Sequence, residues 1–150
     1  MSRIINDAGF ALIQHFEGCR LQAYQDVAGI WTIGYGHTGG VTQGMTITQD
    51  QANRYLQSDL QSAENAVDAA TSQASTTDNQ FAAMVSLCYN IGAGAFKSST
   101  VLRQHLAGNT AAAAQAFLLW DKATIDGKLE VVEGLLNRRQ AESQLYLTKP

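Results

Sequence analysis

The sequence predicts an α+β protein: a small N-terminal lobe with a short antiparallel sheet, a larger helical C-terminal lobe, and a cleft between them. Three observations carry this expectation. Residues 19–47 are rich in glycine, threonine and tyrosine and lack a helical period. The segments on either side repeat apolar residues at helical spacing. The chain has 150 residues, 45% hydrophobic and 15% charged, enough for one domain or two small lobes sharing a core. The expected organisation is one domain over 1–150, with lobes at about 13–70 and 71–150 plus an N-terminal helix.

Asn6 is placed to cap the first helix, whose apolar face is Phe10, Ile13 and Phe16 and which Gly18 ends. Leu21–Tyr24 and Ile30–Tyr35 read as strands joined by a turn around Asp26 and Gly29, with Met45-Thr46-Ile47 as a third. Thr48 and Gln51 form a capping-box pair. They open one helix over about 49–69 through Ala52, Tyr55, Leu56, Leu60, Ala63 and Val67, with Asp59 the polar exception. Such a helix would connect the lobes and serve as a hinge.

Downstream the pattern reads as all-helical. Phe81, Met84, Val85, Cys88 and Ile91 make one buried stripe. Ser98 or Ser99 caps a short helix containing Val101, Leu102, His105 and Leu106. Thr110 begins another, through Ala113, Ala114, Phe117 and Trp120. A loop around Asp126-Gly127 precedes a last helix over about 131–146.

The net charge of −3 splits into −5 over residues 1–96 and +2 over residues 97–150. An acidic chain without a basic stripe is a poor nucleic-acid binder, because neutralising phosphates takes clustered lysine and arginine. No apolar run approaches the ~20 residues of a membrane span. The N-terminus shows no secretory signal, so the expected starting compartment is the cytoplasm. Cys19 and Cys88 read as reduced core thiols, with a disulfide between them left open. No metal or other cofactor is expected, since two cysteines without clustered histidines do not make a zinc site.

The chemistry concentrates between Glu17 and His37. Glu17 falls at a helix C-terminus beside Phe16, where the helix dipole and apolar surroundings both favour a protonated carboxyl. Asp26 falls in a solvated turn, where a carboxylate stays charged. Two carboxyl groups in unlike environments are what glycosidic cleavage commonly uses, one as proton donor and one as anion. Gly34, Gly36, Gly39 and Gly40 allow tight turns or close approach of backbone to a ligand. His37 reads as a structural hydrogen-bonder, Trp31 as packing inward, Trp120 as core beside Phe117, and His15 and His105 as surface or partial core.

Glu17-Gly18, Leu21, Ala23-Tyr24, Asp26, Gly29 and the run from Trp31 to Thr38 resemble the signature of the phage-type lysozymes, glycoside hydrolase family 24. Residues 82–92, Ala95-Phe96 with Ser99–Leu102, and residues 134–142 resemble three further segments of that family, in order. The resemblance implies a lysozyme-like fold and hydrolysis of the β-1,4 bond between N-acetylmuramic acid and N-acetylglucosamine in bacterial peptidoglycan. It implies Glu17 as general acid, Asp26 as the ionised group that orients a water or stabilises the sugar cation, and Thr32 as the residue holding that water, with inversion as the outcome. Tyr35, Gly36, Thr38, Tyr89, Asn90 and Ser99 would lie along the saccharide groove. One of Arg138 and Arg139 would approach Glu17, and His37 would support the site.

The expected partner is the peptidoglycan glycan strand, met by a monomer with no wall-binding domain, no nucleic acid and no stable membrane insertion. Release from the host cytoplasm would depend on a holin-type pore, and lysis of the host would follow. Two alternatives stand beside this. A lytic transglycosylase would cut the same bond without water, and a non-catalytic glycan-binding module would keep the fold alone.

Overall fold

The computed structural model describes residues 3–150. The chain divides into two compact units, Ile13–Gln61 and the described part of Met1–Leu12 with Ser62–Pro150. The smaller unit ends at Gln61, short of the expected boundary near residue 70.

Helix α1 (Asp7–Glu17) begins in the larger unit and finishes in the smaller one. Asn6 caps it: its Oδ1 accepts the Gly9 N–H at 2.9 Å. Strands β1 (Arg20–Gln25) and β2 (Trp31–Gly34) pair antiparallel, with Tyr24 opposite Thr32 and Gln25 opposite Trp31. The expected third strand is a single bridge, Gln22 to Thr46. Ala23 N–H donates to Met45 O and Ile47 N–H to Leu21 O, both at 2.9 Å, so this segment covers the β1 edge. The Thr48–Gln51 capping box opens α2 (Gln49–Asp59). Ile13, Ile33, Ile47, Leu56 and Leu60 are buried here, each stabilising by about 1.5–3 kcal/mol.

The single helix expected over 49–69 is two, α2 and α3 (Gln61–Ala70). They part at Leu60, whose N–H reaches both Leu56 O and Ser58 O. No glycine or proline marks the break. Leu60 continues the apolar spacing and is fully buried, so packing rather than propensity sets the interruption.

In the larger unit, Thr77 and Gln80 form a second capping box at the start of α4 (Asp78–Ile91). Every residue from Phe81 to Cys88 is buried, so α4 is surrounded rather than striped. α5 (Ala93–Lys97) packs against it, and α6 (Thr100–Leu106) pairs with α7 (Thr110–Ala116). A 3₁₀ turn over Phe117–Trp120 follows α7, and α8 (Glu133–Leu147) packs on both α4 and α7. Ser99, not Ser98, caps α6. Phe96, Val101, Phe117 and Tyr146 complete this core.

This unit is not all-helical. The segment read as a loop is an antiparallel hairpin of β3 (Lys122–Ile125) and β4 (Lys128–Val131). Asp126 (φ 51°) and Gly127 (φ 79°) supply the two left-handed residues of its turn. Ile125, Leu129 and Val131 are exposed, so the buried/solvated alternation that reveals a strand is missing.

Cys88 is buried, as expected, and burial pushes its thiol up to about 11. Cys19 is exposed and so is not a core thiol; both are free. Trp31 and Trp120 are half-buried. His15 is exposed. His105 is buried, with Nδ1 2.6 Å from the Tyr146 hydroxyl and Nε2 2.8 Å from the Thr76 hydroxyl. Among the described residues no helix is long and apolar enough to cross a membrane.

Candidate active site

Seven of the residues singled out in the sequence fall in Ile13–Gln61: Glu17, Asp26, Thr32, Tyr35, Gly36, His37 and Thr38. Glu17 is the last residue of α1 and is half-buried. A Cβ built at Gly36 would lie 3.6 Å from Glu17 Oε1, so the carboxyl sits against the turn that follows β2. Gly36 holds φ +84°, a conformation that side chains resist, and the absence of a side chain there lets the turn lie close to the Glu17 carboxyl.

Asp26 organises the β1–β2 turn. Its N–H donates to Ile30 O at 2.9 Å, and its Oδ1 accepts from both Ala28 and Ile30 N–H groups at 2.9 Å. One carboxylate oxygen, Oδ1, is thereby committed to the backbone of the turn. Thr32 is buried on β2, and its hydroxyl donates to Ile30 O at 2.9 Å. With its proton given to a carbonyl, the Thr32 oxygen is left as an acceptor. Asp26 and Thr32 thus share a partner residue, Ile30, and belong to one hydrogen-bonded hairpin.

Two polar clusters brace the Tyr35–His37 turn. Tyr35 is buried, and its hydroxyl accepts from Gln14 Nε2 at 3.2 Å and Gln49 Nε2 at 2.9 Å. Both amides also reach Asn53 Oδ1, tying α1 to α2. The Tyr35 ring is therefore part of the support, whereas Gly36 and Thr38 are exposed. His37 stacks on Tyr55 at 4.3 Å between centroids, with Nδ1 2.9 Å from Asp59 Oδ2 and Nε2 2.9 Å from Gly39 O. Asp59, the polar exception on the α2 face, is thus the anchor of His37. Gln14, Gln49 and Asn53 carried no sequence signal of their own, because amides on helix surfaces are ordinary.

The other five residues belong to the larger unit. Tyr89 is half-buried and Asn90 exposed, in the last turn of α4. Ser99 is buried and engaged twice: its hydroxyl donates to Phe96 O at 2.6 Å and accepts the Leu102 N–H at 3.2 Å. Arg138 and Arg139 are buried on α8 and converge on Glu142. Arg139 Nε lies 2.6 Å from Glu142 Oε1, and Arg138 Nε 3.3 Å from Oε2. The Ser86 hydroxyl donates to Glu142 Oε2 as well. Burial pushes the Glu142 carboxyl above its ordinary value; the two guanidiniums and the Ser86 hydroxyl oppose that shift.

Known proteins resemble this chain along nearly its whole length. The family model described as phage lysozyme matches residues 14–142. The endolysin of Salmonella phage P22 is 44% identical over 149 residues, covering 96% of this chain and 98% of that one. The muramidase domain of SpmX from Asticaccaulis excentricus superposes with a TM-score of 0.92 at 41% identity, covering 98% and 99% of the two chains. The endolysin from Escherichia coli O157:H7 phage FAHEc1 gives 0.91 at 42% identity, with 97% and 94% covered.

Proposed function

We propose, from the premise that the chain belongs to the phage lysozyme family, a division of labour by which this peptidoglycan-hydrolysing muramidase cuts its substrate. Glu17 is the general acid. It gives its proton to the bridging glycosidic oxygen as the bond to the sugar breaks. Asp26, through Oδ2, faces the positive charge that develops on the ring or draws a proton from the attacking water. Thr32 holds that water by accepting one of its hydrogens. Water adds to the anomeric carbon, the leaving sugar keeps the proton from Glu17, and inversion follows if the water attacks from the far side.

The observation that carries this reading is the placement of Glu17 Oε1 against Gly36, on the turn that ends the hairpin bearing Asp26 and Thr32. A helix-end carboxyl thus meets the end of the same hairpin whose other turn carries the Asp26 carboxylate. Gly36 and Thr38 are exposed and can meet sugar there. Ser99 is buried, and its hydroxyl donates to Phe96 O and accepts the Leu102 N–H, so in this reading only its remaining acceptor lone pair could serve the saccharide groove. A supporting role for Arg138 or Arg139 belongs to the same proposal, on the family resemblance. So do a monomeric state, a cytoplasmic start and release through a holin-type pore.

The test is Glu17→Gln in a turbidity assay on outer-membrane-permeabilised cells. Clearing should fall by about 10²–10⁴-fold, with an unchanged circular dichroism spectrum. Clearing at the wild-type rate would refute the general-acid assignment.

A further inference from the structure

We propose that the outer edge of β4 pairs with the same edge of a second copy, joining two hairpins into one four-stranded sheet about a two-fold axis at Leu129. The inference stands apart from the catalytic reading. All four residues of β4 are exposed, Leu129 at 69% and Val131 at 54%. On β3 only Ala123 is partly covered. A two-stranded ribbon with so little covered is marginal in water, and further strands or a covering partner stabilise it.

The ladder fixes which backbone groups are free. Val132 N–H donates to Asp121 O at 2.9 Å, so these two form a hydrogen-bonded pair. In the same register Ala123 faces Glu130 and Ile125 faces Lys128, and those pairs also bond inward. Leu129 and Val131 alternate with them, so their N–H and C=O groups point out of the hairpin. β4 has no strand neighbour but β3, and among the described residues nothing bonds to those outward groups. An open edge of this kind is a template for another strand.

Charge then selects the occupant and the register. Antiparallel pairing sets outward residues opposite outward residues, so the axis must fall on a residue. Centred on Glu130 or on Lys128, it sets that residue against its own copy, and like charges directly opposite are destabilising. Centred on Val131, it sets Leu129 against Glu133, which already belongs to α8. Centred on Leu129, it joins the two Leu129 residues by a reciprocal pair of N–H to C=O bonds. Lys128 of each copy then faces Glu130 of the other, in the non-hydrogen-bonded pairing where side chains approach most closely. Neither side chain has a hydrogen bond or ion pair within its own chain. The β3 edge offers less, because Lys122 is already bonded to Asp121 at 2.9 Å. One short strand per copy makes a small interface, so the pairing is weak, with Kd about 0.1–1 mM. At assay dilution the chain is then a monomer, and pairs form only as it accumulates.

Sedimentation equilibrium of the full chain, from about 10 µM to 1 mM, tests this. The weight-average mass should climb from that of one chain, 16.1 kDa, toward twice that. Lys128→Glu and Glu130→Lys should each weaken association about ten-fold, since both opposite-charge pairs become like-charge pairs. The double variant Lys128→Glu/Glu130→Lys re-creates the opposite pairs and should restore association. Hydrogen exchange of the Leu129 N–H should be slower at the upper concentration than at the lower.

A mass fixed at one chain over the whole range would overturn the inference. So would a double variant no better than the single ones. Association that both single variants leave unchanged assigns the contact elsewhere, for instance to the α7–α8 groove lined by Leu118 and Leu147, and overturns it too. If a variant does not fold, exchange in the wild-type protein decides, and a Leu129 N–H indifferent to concentration contradicts the pairing.

Discussion

Two polar clusters, one in each unit, are held in opposite ways. Asp26 and Thr32 are fixed by bonds to backbone a few residues away: Asp26 to Ala28 and Ile30, Thr32 to Ile30. The turn that carries them is exposed at Val27, Ala28 and Gly29. Arg138, Arg139 and Glu142 on α8 are fixed by one another and by Ser86 from the distant helix α4, with almost no exposure. The difference teaches where precision comes from. A local turn holds a carboxylate and a hydroxyl in place through its own backbone. A buried ionic cluster needs the whole α4–α8 packing, and fails as a whole when one member is lost.

Removing Glu142 should therefore be the most damaging change to the fold. Glu142→Ala strands the buried Arg139 charge, at a cost of about 3–5 kcal/mol, read as a melting temperature lowered by roughly 10 °C. A shift within two degrees would mean the cluster contributes no more than a surface pair. Thr32→Val tests the other side. It keeps the strand shape and removes the acceptor, so kcat should drop on the order of 10²-fold with melting unchanged. A loss of stability with kcat intact would make Thr32 a structural residue only.

His37 lies between these extremes, since its ring is half-buried and bonded both to Asp59 on α2 and to the backbone of its own loop. His37→Asn should cost about 1 kcal/mol by denaturant titration. A cost near that of Glu142→Ala would erase the distinction between the two units. The smallest effect is a pH slope. Burial pulls the His105 imidazole below its ordinary value of 6.5. Above pH 6.5 both folded and unfolded forms are neutral there and nothing is lost. As pH falls below 6.5 the unfolded chain takes up a proton that the folded one refuses, and stability declines until the folded value is reached. His105→Gln should flatten the melting temperature between pH 6.5 and 5; an unchanged slope would place its origin in other groups.

The unlike construction of the two regions also decides what the amino-acid sequence reveals. The α1 cap, both capping boxes and the β1–β2 turn depend on residues within a few positions, and their spacing announced them. The Glu17-to-His37 segment is local in the same sense, so its helix end, turn and strands could be read from its letters. The Leu60 break, the Asp59 anchor and the hydrogen bond from Arg139 to Asn90 depend on packing between distant segments, which no local period records. The β3–β4 hairpin was hidden differently. Its Asp126-Gly127 turn signal was present, but flanking strands exposed on both faces lack the alternation that identifies a strand. Arg138 and Arg139 show the limit of motif reading. The C-terminal segment flagged both, and their helical spacing to Glu142 stands in the letters, while the burial of the cluster and its Ser86 contact came only with α8 laid against α4.

Hydrolysis by a carboxyl pair, with water as the second substrate, is tested by digesting purified peptidoglycan in ¹⁸O-labelled water and examining the products by mass spectrometry. Glu17 acting with Asp26 and Thr32 predicts muramic acid at reducing ends, each carrying one heavy oxygen. Products ending only in 1,6-anhydromuramic acid, without label, would contradict it and assign the bond cleavage to an intramolecular sugar hydroxyl instead.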